Sequence, residues 1–548
     1  MSDLGFISKT QKNQLSAMDT QSAKRREDDD DCSEIAIDRL SQLPQPILHS
    51  ILSLLPQKYA IRTCVLSKSW RYLWHGRLNV EFSDFYHCLT RKNEFWPFLD
   101  KTLQRYLDQN LSLQKFLVDI LYGANSVDFV LLQKWIPLLI MNLGVSSFTF
   151  RFLWSTNAYP LPLVVFQSES LVELHLEHCS LDILKSTNNV MLNNLQTLRL
   201  VSVDITDEIF EKIISSCPLI ENLYLLLCSG LKSIKLCKHH NIKDFHCWVN
   251  DDQTIIEFED PHTLESVHIQ NCRNWFLRHK NVQFPHLKSL DLFRVQLTVE
   301  TFDNFSSFFP CLNELSLNQC NGVKKFILSS SSIKRLTILK CPNRIKAFID
   351  TPNILHFEYH GFLPSIKFTT TSNEWESKIL LRYKLILMPS EKDTTTWFLK
   401  LHKLLKALSQ SHITLSLNPN EYKKLHINDS CGGFDEPVVV EHINFEYSFD
   451  PAKLNCLFRI CHPRYIHMDL YDDDMYGYEP ELNNLAVFMS KIIPNEIGSY
   501  FWLKDLEEVG IEVWDEEAEE WHCVEGSSLL ALPFQEEIRF RLTWREIS

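Results

Sequence analysis

Glycine is scarce, 13 of 548 residues. Loops that cradle phosphate are built from glycine, so a nucleotide-binding loop has little material here. Positive charge is also in deficit. Lys and Arg number 55 against 69 Asp and Glu, a net charge of −14. A general nucleic-acid or anionic-membrane surface needs a basic face, and this balance argues against both. The 16 cysteines are too sparse for a disulfide scaffold in a chain of this length. Long apolar runs are lacking. The most apolar stretch, Phe129 to Leu143, is interrupted by Gln133, Lys134 and Pro137, whereas a membrane helix needs ~20 mostly apolar residues. The start of the chain has no apolar stretch of the ~7–15 residues that a secretory signal requires. The reading is a soluble, intracellular protein of the nucleus and/or cytoplasm with reduced thiols. No Gly-x-Ser-x-Gly, Walker loop or His-Glu-x-x-His is present, so no catalytic residue, cofactor or metal is expected.

The chain exceeds one ordinary core, and a prior of ~100–200 residues per domain suggests several units or one long repeat array. Residues 1–34 lack periodicity and read as a disordered tail. Lys24-Arg25-Arg26, followed by an acidic run, fits either a nuclear import patch or a solvated tail. From residue 38 the pattern changes. Ile47, Leu48, Ile51, Leu52 and Leu55 recur at helical spacing as a narrow apolar face, with Pro44 near the start and Pro56 at the end. A second short helix holds Ala60, Ile61, Cys64 and Val65, and a third begins at Ser67 and carries Trp70, Leu73 and Trp74. Three helices in so few residues bury little apolar area, and such a unit usually leans on a partner.

A second pattern dominates the middle of the chain. The segment Leu171 to Leu181 fits L-x-x-L-x-L-x-x-N/C-x-L at every fixed position, the signature of a leucine-rich repeat. Its apolar core recurs at Leu195/Leu198/Leu200, Ile220/Leu223/Leu225, Ile242/Phe245/Cys247, Leu264/Val267/Ile269, Leu287/Leu290/Leu292, Leu312/Leu315/Leu317, Ile333/Leu336/Ile338 and Ile354/Phe357/Tyr359. The steps between starts run from 21 to 25 residues, inside the expected period of ~20–29. Weaker copies precede them at Leu113/Phe116/Val118 and Val145/Phe148/Phe150. Each unit offers one short strand and covers its apolar face only against its neighbours.

Cys179, Cys228, Cys272, Cys320 and Cys341 fall near the Asn/Cys slot of the repeat and read as buried packing residues. Cys456, Cys461, His462 and His467 are close in sequence, but their spacing matches no zinc arrangement. Past residue 365 the repeat fades. Thr396 to Leu408 reads as an amphipathic helix, and strand-like pieces follow. Asp505 to Glu520 contains nine acidic residues, a solvated edge or a patch for a basic partner.

Asp38-Arg39-Leu40-Ser41-Gln42-Leu43-Pro44, with Ile47-Leu48, Ile51-Leu52-Ser53 and Leu55-Pro56, resembles the first half of an F-box. Thr63 to Arg71 with Leu73-Trp74 looks like its second half, and the order of modules is similar to that of the plant F-box/leucine-rich-repeat proteins. The fold class expected is α/β: a small three-helix F-box over 35–80, a leucine-rich-repeat horseshoe over 81–365, a linker and helical segment over 366–435, and a C-terminal α/β region over 436–548. The resemblance implies a non-catalytic substrate receptor of a Skp–cullin–F-box ubiquitin ligase. Its F-box would dock a Skp-type adaptor and, through it, cullin and a RING protein. Leu43, Pro44, Ile47, Leu48, Ile51, Leu52, Leu66, Trp70 and Trp74 would serve the adaptor face or the small core.

Alternation along each repeat strand sends the residues between the signature leucines to the concave face. These are His175 and Glu177, Arg199 and Val201, Tyr224 and Leu226, His268 and Gln270, Asp291 and Phe293, Ser316 and Asn318, Thr337 and Leu339, and Glu358 and His360. Aromatics, histidines and more acids than bases suit a protein or peptide substrate. Two other readings stand beside the ligase: an interaction scaffold acting outside it, and an enzyme or small-molecule receptor. A receptor of the kind that holds an inositol phosphate needs clustered Arg and Lys, and this face offers only Arg199.

Overall fold

The computed structural model describes residues 43–55, 57–65, 70, 73, 76–83, 95–120, 126–152, 158–187, 189–236, 241–276, 282–297, 305–322, 324–372, 374–382, 391–417, 436–446, 451–469, 501–515, 518–524 and 537–545. The tail over 1–34 with Lys24-Arg25-Arg26, and Leu66, Ser67 and Trp74, lie outside the described residues. The chain divides into two compact units, Met1–Val80 and Glu81–Ser548. Among the described residues no helix is long and apolar enough to cross a membrane.

The N-terminal unit begins with helix α1, Gln45–Leu54. Pro44 sits at its N-cap, where a missing N–H costs nothing, and its carbonyl accepts from Ile47 and Leu48. Helix α2, Gln57–Arg62, follows and tightens into a 3-10 turn at Thr63–Val65. Arg77 is buried and donates through Nη2 to the Leu55 carbonyl at 2.8 Å, placing a cation at the carbonyl end of α1. Leu48, Leu52, Ala60, Trp70 and Leu73 form the core of this unit, with Leu43, Ile51 and Leu55 packed at its margin.

The second unit is organised by one parallel ladder. Its strands are β1 (Lys115–Ile120), β2 (Ser147–Phe152), β3 (Glu173–Glu177), β4 (Thr197–Val201), β5 (Asn222–Cys228), β6 (Asp244–Val249), β7 (Ser266–Gln270), β8 (Ser289–Phe293), β9 (Glu314–Asn318), β10 (Arg335–Leu339) and β11 (His356–Phe362). Each pairs in parallel with the next in chain order. The signature residues Leu174 and Leu176, Leu198 and Leu200, and their counterparts in β5 to β11 are buried. The residues between them are half-exposed, so period-2 alternation sorts one face inward and the other out.

The cysteines occupy the place the repeat pattern gives them. Cys179, Cys228, Cys272, Cys320 and Cys341 are all buried. Their thiols donate to backbone carbonyls, as Cys320 Sγ does to the Leu292 oxygen at 3.2 Å. Burial pushes the Cys341 and Cys228 thiols up to about 11 and that of Cys320 to about 12. These are packing groups, not nucleophiles.

The ladder does not end at residue 365. It continues through β12 (Glu376–Arg382), β13 (His412–Leu417), β14 (Val438–Glu446) and β15 (Cys461–Asp469), all parallel and in order. Strands of 366–435, expected as a linker and helical segment, and of 436–548, expected as a C-terminal α/β region, belong to the same sheet as the repeats. Two features hide the continuation. An inward position of β12 is held by Ser377, buried and bonded through Oγ to Ser411 Oγ at 2.7 Å, where earlier units carry a large apolar residue. The connection between β12 and β13 also lengthens to admit helix α3, Glu391–Ala407, and a helix α4, Pro451–Phe458, precedes β15.

Three antiparallel strands finish the sheet: β16 (Leu506–Asp515), β17 (Glu520–Val524) and β18 (Ile538–Trp544). β18 pairs with β15 and with β16, so the last parallel strand is not left as an open edge. Within the acidic run 505–520, Glu507, Glu508, Glu519 and Glu520 are exposed, but Glu512 is buried and takes Arg539 Nε at 2.6 Å and Arg541 Nε at 3.6 Å.

Candidate functional site

Parallel pairing in register turns the outward side chains into rows. One row runs His175, Arg199, Tyr224, His246, His268, Asp291, Ser316, Thr337 and Glu358 across β3 to β11. A second runs Glu177, Val201, Leu226, Trp248, Gln270, Phe293, Asn318, Leu339 and His360. Every sequence-predicted surface residue of the repeats therefore lies in one of two adjacent lines.

The centre of the first row is a continuous stack. The Arg199 guanidinium lies 5.2 Å from the centroid of the Tyr224 ring. Tyr224 stacks on His246 at 4.7 Å, and His246 on His268 at 5.5 Å, both pairs inclined by 24°. His268 Nδ1 lies 2.8 Å from Asp291 Oδ2. The hydrogen bond to Asp291 holds the His268 imidazole above its ordinary value, against the opposing effect of burial. Burial, followed by the charge of His268, holds His246 below. His175 is pushed down to about 4 by burial and by the guanidinium groups of Arg199 and Arg151. Burial raises the Glu177 carboxyl. The row thus offers flat, half-buried rings between a cation and an acid, which suits a partner with both apolar and polar groups.

His246 and Trp248 were missed among the expected surface residues. The repeat triplet Ile242/Phe245/Cys247 already places both at outward positions, and the same alternation rule finds them. His246 is the middle ring of the stack, and Trp248 is an exposed large hydrophobic. Glu358 and His360 stand at the far end of the rows, three strands beyond Asp291 and Phe293.

Three of the Cys456, Cys461, His462 and His467 side chains near residue 460 are engaged with other groups. Cys461 Sγ donates to the Leu457 carbonyl, His462 lies flat on Trp544 at 3.9 Å, and His467 bonds His442 at 2.8 Å. Among the described residues no group of three or more His, Cys, Asp or Glu side chains is placed to hold a metal ion.

The N-terminal unit presents a different surface. The apolar face of α1 is two stripes rather than one. Leu48, Leu52 and Leu55 face the unit's own core. Ile47, Ile51 and Leu54 follow the adjacent line at the same spacing, with Ile47 47% and Leu54 84% exposed. Tyr59 and Val65 add to the exposed apolar surface. Of the residues expected to serve docking or core, Pro44 and Ile47 are exposed, Leu43 and Ile51 are partly buried, and Leu48, Leu52 and Trp70 are core. Leu54 and Tyr59 went unread, because Leu54 falls outside the first-chosen stripe and Tyr59 lies on a short element with little periodicity; Val65 is read as part of the second helix but not as part of the adaptor face.

Residues 40–80 match the F-box domain, and residues 132–275 match the family described as "FBD-associated F-box protein At5g56370, LRR repeats". The chain carries an F-box and leucine-rich repeats of the plant type. It is 35% identical over 213 residues to the F-box/LRR-repeat protein At3g59200 of Arabidopsis thaliana, covering 37% of this chain and 39% of that one. It is 27% identical over 311 residues to the putative F-box/LRR-repeat protein At3g18150 of the same plant, covering 55% and 62%. It is 29% identical over 309 residues to its F-box protein At5g03100, covering 55% and 89%. The chain spans about two fifths of the length of the first of these curated relatives. The exposed stripe of α1 is thus within the F-box match, and Arg199, Tyr224, His246 and His268 of the stack lie within the leucine-rich-repeat match.

Proposed function

We propose that this protein is the substrate-recognition subunit of a Skp–cullin–F-box ubiquitin ligase. The observation that carries the reading is the division of labour on α1. Leu48 and Leu52 seal the unit's own core with Trp70, while Ile47, Leu54, Tyr59 and Val65 remain exposed. A unit this small stands on few buried side chains, and an apolar stripe beside them is a ready seat for a Skp-type adaptor. The adaptor in turn joins cullin and a RING protein. The repeats hold the substrate, through the rows centred on Tyr224, His246, His268 and Phe293, which we read as the concave face of a horseshoe. The chain contributes no chemistry of its own. It keeps a substrate lysine near the charged conjugating enzyme, which raises the effective concentration of one for the other.

Co-purification from plant extract tests this. The wild-type chain brings down a Skp-type adaptor and cullin, and Ile47→Asp with Leu54→Asp abolishes both. Both positions are exposed, so the variant keeps its fold. Adaptor binding that survives the double change removes the assigned docking stripe, and adaptor binding without cullin favours a scaffold outside a ligase.

A further inference from the structure

A cleft of about 460 Å³ opens at the C-terminal ends of β7 to β10. It is built by the residue that follows each strand. Asn271, Arg294, Gln319 and Lys340 all adopt left-handed backbone, with φ of 62°, 53°, 53° and 51°. Each donates its N–H to a carbonyl of the next strand, the last one for the first three and two residues from the end for the fourth: Asn271 to Phe293, Arg294 to Asn318, Gln319 to Leu339 and Lys340 to His360. The backbone is thereby satisfied, and the side chains of these four residues line the cleft.

The charges there run against those of the chain. Arg273 is matched by Asp252, with Nε 2.5 Å from Oδ2. Arg294 gives its Nε to the neutral amide oxygen of Gln319 at 2.8 Å, and among the described residues its charge meets no carboxylate and the Gln319 NH₂ has no acceptor. The Lys340 ammonium has no ion pair among the described residues. Two net positive charges and an amide donor thus meet in one cleft of a protein whose net charge is −14. The cluster is local, because the same left-handed slot holds His178 and Ser202 after β3 and β4, and Leu227 near the end of β5. The cleft is also continuous with the outward rows: the Arg294 guanidinium lies 5.1 Å from the centroid of the Phe293 ring.

We propose that this cleft binds a carboxylate- or phosphate-bearing side chain of an acidic peptide segment, with the neighbouring residues of that segment laid toward Phe293. The guanidinium N–H groups left over on Arg294, the Gln319 amide and the Lys340 ammonium are all donors, the set an oxyanion requires. The volume falls in the range of ~300–1,000 Å³ that takes a small ligand or a short peptide stretch. Naming that segment part of the ligase substrate rests on the proposed function; the binding itself does not.

The test is fluorescence anisotropy on the full chain with three labelled peptides of one sequence, carrying phosphoserine, glutamate or glutamine at the same position. The phosphoserine and glutamate peptides bind, and the glutamine peptide does not. Arg294→Gln with Lys340→Gln weakens binding at least about tenfold, the scale of losing one charge-assisted hydrogen bond. Lys325→Gln with Lys346→Gln, which removes two exposed cations elsewhere, leaves it unchanged. Equal losses in both double variants reduce the effect to general charge, and no loss in either removes the site; either result overturns the proposal. A uridine oligonucleotide that bound through Arg294 and Lys340 more tightly than the peptides would overturn it as well. Adaptor co-purification is read separately, so failure here leaves the ligase reading standing, and the reverse.

Discussion

His268 on β7 and Asp291 on β8 face each other across one strand boundary, Nδ1 to Oδ2 at 2.8 Å, and end the ring stack that begins at Tyr224. On Asp291 burial acts to raise the carboxyl, but hydrogen bonds from His268 and Ser316 outweigh it and hold it below its usual value. His268 is held above the ordinary 6.5 by that bond to Asp291. A histidine raised in the fold lends stability that is fully present below 6.5 and is lost as pH rises through its elevated value. Asp291→Asn is expected to bring the His268 titration down, to or below 6.5, in a histidine-labelled NMR pH series. It should also flatten the loss of thermal midpoint across that window. An unchanged His268 titration would show that the pair does not form in solution.

The two stripes of α1 predict opposite costs for similar truncations. Leu52→Ala empties a fully buried position of a small core and should cost about 2–5 kcal/mol. Leu54→Ala removes a side chain that is 84% exposed and should change stability by no more than about 0.5 kcal/mol. Chemical denaturation of the full chain, followed by hydrogen exchange of the α1 amides, separates them. Similar costs would mean that Leu54 is covered and the assigned seat is closed.

The repeats were legible because stacking demands the same residues at each step. Leu174, Leu198 and Leu223 are buried on paired strands in one register, and their spacing alone announced it. The later strands were not legible because a different solution fills the same position. Ser377 meets Ser411 through a hydrogen bond, so hydrophobic periodicity carries no signal there. The outward rows were readable strand by strand, but the ring stack was not, because it depends on register between strands: Tyr224, His246 and His268 become neighbours only when β5, β6 and β7 pair without offset. The cationic cleft lies one step further away. Arg294 and Lys340 sit in turns after strands, and nothing in their local sequence brings them together.

Gly322 and Gly144 both have positive φ, 86° and 68°, but differ in surroundings. A Cβ on Gly322 would collide with the Leu297 carbonyl oxygen and press on the Gln296 side chain, whereas nothing lies within 4 Å of one on Gly144. Gly144→Ala should cost only the left-handed penalty of about 1–2 kcal/mol. Gly322→Ala should cost clearly more, because the backbone next to Asn321 in the cleft has to move. Urea midpoints of the two variants provide the comparison, and equal shifts would show that the turn at Gly322 relaxes freely.

At the far end of the sheet, His467 is held down to about 4, first by burial and then by His442 and Arg539. His442 is itself held below its ordinary value by burial, despite Glu441 acting the other way. The two imidazoles share one hydrogen bond, Nδ1 of His442 to Nε2 of His467 at 2.8 Å. Arg539 closes the cluster from β18, with its guanidinium 4.4 Å from the Tyr465 centroid and 4.1 Å from that of Trp521, its Nε on buried Glu512. Protonating both rings would place two like charges beside Arg539, so the fold keeps His467 neutral. The unfolded chain takes up a proton near 6.5 that the folded chain refuses until about 4. Stability from this site is therefore whole above 6.5 and declines as pH falls toward 4. His467→Gln loses the hydrogen bond at every pH, which lowers the thermal midpoint by a constant amount. It also removes the proton uptake, so its midpoint should fall less steeply than that of the wild type between those limits. Parallel curves for the two proteins would mean that His467 titrates alike in both states and that the end of the sheet is open to water.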